Sequence, residues 1–198
     1  MITLLALATL TQVQPAPVAA TGVTAASGVA AIPGMTVRNY DVRGTTIREI
    51  YNSLAAAAPK NPATAQPLPA TSNWSMKVAT QSTRTGDKCA ITGATATFTG
   101  EATLPRLVAD PAIPPAVLAN WNSYLAQLDA RQAEQLRYAY EHRSEIEAAV
   151  RASSCDNWRP AANAALDQLR AQARLVRNTD PAAQPVLRDV VVTTKAKK

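Results

Sequence analysis

The chain has 198 residues, 47% of them hydrophobic but only 5% aromatic, with a formal net charge of +6. That length is enough for one domain with a modest core, and too apolar a composition for a disordered polyelectrolyte. The positive charge is dispersed, with only Lys195, Lys197 and Lys198 close together, so it favours anionic surfaces without marking a specific nucleic-acid site; basic residues are not interleaved with aromatics.

No charged residue precedes Arg38. Residues 2–10 form a short apolar run, too short to span a bilayer, followed by the small residues Val18, Ala19 and Ala20. This pattern predicts a signal peptide over 1–20 and a periplasmic or secreted protein with no membrane span once the signal is removed, although the first residues lack Lys or Arg. Residues 21–36 are small and without periodicity, which predicts a flexible linker.

Alternation over 37–43 predicts a strand, stopped at Gly44. Thr46 and Glu49 then stand in the spacing of a capping box, opening a helix to about Ala57 that should bury Ile47, Ile50, Tyr51 and Leu54. Pro59, Pro62, Pro67 and Pro69 predict an irregular loop. Residues 73–83 alternate through Trp74, Met76 and Val78, and residues 88–103 through Ile91, Ala94, Ala96 and Phe98. The turn signal Thr85-Gly86-Asp87 joins them into an antiparallel hairpin, closed by Pro105.

Pro114 and Pro115 open a long predicted helix over 115–152. Its apolar stripe is Leu118, Trp121, Leu125, Leu128, Ala139, Ile146 and Ala149. A second helix over 158–176 completes a helical hairpin. Residues 181–198 read as a late strand or a basic tail. The fold class is therefore α+β: a hairpin or small sheet packed on a long helical hairpin, plus one short N-terminal helix. Two cysteines in an exported chain predict one disulfide, Cys89–Cys155, pinning the hairpin to the turn between the helices; two separate buried thiols are the alternative.

Chemistry is sought where the long helix breaks its own pattern. Residues 131–137 are largely polar, and Arg131 and Gln135, four apart, share a face. His142 returns to that face three turns on. Either this patch faces inward, against the hairpin, with Glu134, Tyr138 and His142 lining a cleft, or the helix rolls outward and the residues are solvated. Other catalytic signatures are lacking: there is no Gly-x-Ser-x-Gly, no phosphate loop and no Cys-x-x-Cys.

Tyr40, Val42 and Gly44 followed by Thr46-Ile47-Arg48-Glu49-Ile50, then Trp74, the strand from Cys89 to Leu104-Pro105, the segment Trp121, Tyr124, Leu125, and finally Cys155 together resemble a family over about 38–180. It is the set of secreted bacterial zinc-dependent proteases catalogued as domain of unknown function 922. The resemblance implies a protease-like α+β domain over 37–180 whose long helix should carry Ala-His-Glu-x-Gly-His, two zinc-binding histidines one turn apart with a glutamate base. The matching residues read Ala130-Arg131-Gln132-Ala133-Glu134-Gln135. Arg131 stands for the first histidine, Gln132 for the base and Gln135 for the second histidine. A terminal Thr-x-His-Gly is matched by Thr179-Asp180-Pro181-Ala182, so Pro181 replaces the third ligand.

Those substitutions predict a chain with no catalytic residues, no bound metal and no cofactor, an inactive relative with a binding or structural role toward an envelope protein or peptide. A site rebuilt from Glu141, His142 and Glu145 is disfavoured, because neighbours on a straight helix diverge by about 100°. Two other readings stay open: an active metal-dependent peptidase with non-standard ligands, and a basic envelope protein holding anionic polymers.

Overall fold

The computed structural model describes residues 28–177 and 185–188. The expected signal peptide, linker residues 21–27, Pro181 and most of the C-terminal segment lie outside the described residues. A 3₁₀ turn, Gly28–Ala31, leads into strand β1 (Met35–Val42), helix α1 (Ile47–Ala57), strands β2 (Thr71–Thr85) and β3 (Lys88–Leu107), and helices α2 (Pro115–Glu141), α3 (Arg143–Arg151) and α4 (Trp158–Arg177). The class is α+β: a three-stranded sheet in the order β1-β3-β2 against a set of helices.

The hairpin forms as the alternation predicts. β2 and β3 pair antiparallel from Thr71↔Thr103 to Thr85↔Lys88, with an irregularity at Gln81/Ser82. Gly86, at the turn, has a φ of 61°, a conformation that costs glycine nothing. β3 does not stop at Pro105 but runs on to Leu107, because its last residues pair with β1, Tyr40↔Pro105 among them. β2 has ended by then, so β3 has one neighbour only and a residue without an N–H is tolerated. That pairing of β1 with β3 is parallel.

β1 covers only the second half of β3. Beside the first half lies α3, whose Glu147 carboxylate accepts the Ala96 N–H at 2.9 Å. A strand edge that would otherwise lack a partner is thus closed by a side chain.

Cys89 and Cys155 form the disulfide. The neighbouring residues Ala90 and Ser154 add a β-bridge, so the hairpin is joined to the α3–α4 turn at two adjacent points.

α1 has the full capping box: the Glu49 N–H donates to Thr46 Oγ1 at 3.2 Å, and Glu49 Oε2 accepts from the backbone of Thr45 and Thr46. The Thr45 N–H above all, with the Thr45 hydroxyl and the Thr46 N–H, holds the Glu49 carboxyl below its usual pKa. Thr46→Ala is expected to lower stability by about 1 kcal/mol, read as a drop in urea midpoint at unchanged slope; an unchanged midpoint would show that the cap is dispensable. Ile47, Ile50 and Leu54 are buried as expected, but Tyr51 is 59% exposed, since only part of a short helix's circumference meets the core.

Three further expectations are corrected. The linker expected over 21–36 does not extend past 27. Val29 is fully buried and Ile32 nearly so, packed with Phe98, Ala133 and Leu136. Asp129 of α2 holds this turn, its Oδ1 accepting the Val29 N–H at 3.0 Å. Gly28 precedes it with a φ of 64°, and the Asp129 carboxylate lies where a Cβ would stand. The helix expected over 115–152 is two helices, broken at His142 (φ −90°, ψ 9°). Its ring stacks on Tyr138 with centroids 3.9 Å apart, and Nδ1 lies 2.9 Å from the Tyr138 carbonyl oxygen. Leu118, expected in the core stripe, is 43% exposed; the buried row is Val117, Trp121, Tyr124, Leu128, Gln132, Leu136 and Ala139.

Candidate functional site

The polar interruption of α2 lies among these core residues. Gln132 is the one polar side chain in the buried set, 7% exposed. Its Oε1 accepts a hydrogen bond of 2.8 Å from the Ser72 hydroxyl at the start of β2. Arg131 and Gln135 are half-buried. The Gln135 Oε1 is out of reach of solvent and has no hydrogen-bond partner among the described residues, an arrangement that costs about 1–3 kcal/mol in a folded protein. Arg131 has no ion pair or hydrogen bond among the described residues.

Of the residues expected to line a cleft, Tyr138 belongs to this face. It is half-buried, packs with Trp74 and Met76 of β2 onto the same buried cluster of Ile146, Val150, Ala162 and Leu169, and its hydroxyl donates to Gln172 Oε1 of α4 at 3.2 Å. Glu134 is exposed and lines no cleft with them, because it points away from the row that meets the sheet. His142 stands at the C-terminal cap of α2, where its imidazole stacks on Tyr138 and Nδ1 lies at the Tyr138 carbonyl oxygen, so it meets this face through Tyr138 at the end of the helix. Pro181 is outside the described residues. The structure therefore brings together Arg131, Gln132, Gln135 and Tyr138, and adds Ser72. Ser72 gave no sign in the sequence, since 60 residues separate it from its partner and only the sheet brings them together.

The two phenols with suppressed ionisation lie outside this patch. Burial first, and then Tyr51, raises the Tyr124 pKa to about 12. Burial first, and then Tyr124, raises that of Tyr40, whose hydroxyl donates to the Pro69 carbonyl at 2.8 Å. Both hold the α1 side of the core together.

The donor set at the interruption is a guanidinium and two amides. A guanidinium keeps its proton at any physiological pH and offers donors only. Amides take no proton at neutral pH and are poor zinc ligands. These residues do not fit a zinc centre, and among the described residues no group of three His, Cys, Asp or Glu could hold a metal ion. The patch can donate and accept hydrogen bonds and offer one positive charge.

The model of the family described as "Bacterial protein of unknown function (DUF922)" matches residues 37–178. The chain belongs to that family. The DUF922 region thus spans β1 to the end of α4 and contains the α2 patch and both cysteines. No curated protein and no solved structure matches the chain. No described helix is long and apolar enough to cross a membrane.

Proposed function

We propose that this DUF922 protein is an exported binding protein built on the scaffold of a zinc-dependent protease and without its catalysis. The observation that carries the reading is the burial and bonding of Gln132. At the position that the protease resemblance gives to the general base stands a neutral amide, turned inward onto Ser72. A base must meet a metal-bound water, and this side chain can neither take a proton nor reach solvent freely. Arg131 would set a fixed charge against a dication, a repulsion of about 4 kcal/mol for each pair of unit charges at 4 Å and an effective dielectric of 20. Export is supported by the Cys89–Cys155 disulfide, a bond that persists in oxidising compartments.

The purified protein is expected to contain less than one zinc in ten chains by elemental analysis and to cleave no peptide in a mixed-substrate assay. Arg131→His with Gln135→His should raise zinc affinity, since the helix already spaces the two positions one turn apart, yet leave hydrolysis at background while Gln132 stays. One zinc per chain in the unmodified protein, lost together with a chelator-sensitive peptidase activity, would overturn the proposal.

A further inference from the structure

β2 is an edge strand. It has β3 on one side and no strand on the other among the described residues. The hydrogen bonds on the far side of β3 show which of its backbone groups are free. The Gly100 N–H donates to the Gly34 carbonyl at 3.0 Å and the Ala96 N–H to Glu147 at 2.9 Å, both pointing away from β2. In an antiparallel ladder the residues opposite such groups also turn their N–H and C=O outward. Those residues are Trp74 and Val78. By the period of two, Met76 and Thr80 do the same. Their side chains face the helices, so the backbone groups alone are presented along the free edge.

This edge has a consistent charge. β2 contains Lys77 and Arg84, both exposed, and no Asp or Glu. At its first residues it meets α2 through the Ser72–Gln132 bond. Arg131 is the next residue back. Seven residues from Tyr138, it lies within about 20° of it around an ideal helix, and so on the flank of α2 whose Tyr138 shares a buried cluster with Trp74 and Met76 of β2. A half-buried guanidinium without an acidic partner therefore stands at the N-terminal end of an open strand.

We propose that the free edge of β2 docks an extended peptide ending in a free carboxylate. The peptide pairs antiparallel with Trp74–Thr80, which brings its C-terminus to the start of β2, where Arg131 takes the carboxylate. Main-chain hydrogen bonds supply the affinity, and Arg131 selects for a chain end, since a guanidinium matches a carboxylate in a two-pronged bond. Lys77 and Arg84 favour acidic residues in the ligand. A second copy of this chain fits less well, because two-fold pairing about the middle of β2 sets the two Lys77 side chains close on one face. The docking deepens the binding role proposed above and rests on it.

The test uses the full chain, immobilised, and random decapeptides displayed with a free C-terminus. Selected sequences are synthesised as the free acid, as the C-terminal amide, and with every second amide N-methylated, and binding is read by fluorescence anisotropy. The amide and the N-methylated form should each bind at least tenfold more weakly than the acid. Arg131→Gln should bring acid and amide to the same affinity while the effect of N-methylation persists. Equal binding of acid and amide to the unmodified protein overturns the role of Arg131. Insensitivity to N-methylation overturns the edge pairing, as does enrichment of no sequence. A dimer by sedimentation whose formation and the binding of the selected peptide exclude one another assigns the edge to a second copy and also overturns the proposal. Zinc analysis of the same sample tests the parent reading separately: zinc with peptidase activity refutes inactivity and leaves the peptide result standing.

Discussion

Replacing Cys89 and Cys155 together with serine is expected to lower stability by about 4 kcal/mol, the chain-entropy figure for closing a loop of this length. The bond joins residues 66 apart, and it does so where little else resists opening. The hairpin tip beyond it, residues 82–88, is exposed throughout. The α3–α4 turn carries only short-range hydrogen bonds and the single Ala90↔Ser154 bridge. Between them lies the cluster of Ile146, Val150, Ala162 and Leu169, packed on Met76, Val78 and Ile91. With the bond gone, α3 and α4 can lift from the first half of β3, and the Glu147 contact that closes the strand edge goes with them. The loss should therefore exceed what a surface cross-link gives, and hydrogen exchange should rise first at Ala96 and its neighbours. A urea midpoint for the double serine variant within error of the unmodified protein would show that the cluster holds this end without the disulfide.

What could be read from the sequence was local. The capping box of Thr46 and Glu49 fixes the start of α1 by chemistry three residues wide, and the Thr-Gly-Asp turn with flanking alternation fixes the hairpin. The disulfide followed from parity once export was assumed. The features that escaped depend on distant partners. Val29 and Ile32 carry no periodicity because a single 3₁₀ turn has none, and only Asp129, a hundred residues on, explains why that turn stays put. The parallel pairing of β1 leaves no mark in either strand. Leu118 and Tyr51 are apolar at the right spacing, yet they fall on flanks that stay exposed among the described residues. At the candidate site, the pattern break at 131–135 shows that something interrupts the core, and Leu128 and Ala139, flanking it on the same stripe at helical spacing, favour the inward reading. Ser72, the partner that holds Gln132 inside, could be found only through the fold.

Gln132→Glu, which restores an acid at the position of the expected base, is expected to destabilise the otherwise unmodified protein in a pH-dependent way. The side chain is 7% exposed, and its carbonyl oxygen accepts from the Ser72 hydroxyl. A carboxylic acid can keep that bond when neutral, whereas the carboxylate must give up hydration in a buried site that offers one hydroxyl in return. Burial should raise its folded pKa by roughly two units above the unfolded value near 4.3. The sign follows from that direction. Below about pH 4 the acid is protonated in both states, and the variant should match the unmodified protein. As pH rises toward the folded pKa the unfolded chain releases its proton first, and stability falls, reaching a deficit of about 3 kcal/mol near neutrality. Arg131, the adjacent residue, carries the opposite charge, so adding Arg131→Gln should deepen the deficit at pH 7 and leave pH 4 unchanged. Urea titrations of the three proteins at the two pH values decide it. A Gln132→Glu variant equally stable at both would mean that the position is open to water, and the bar to a catalytic base at this position would then be only the choice of side chain, with no structural cost to reversing it.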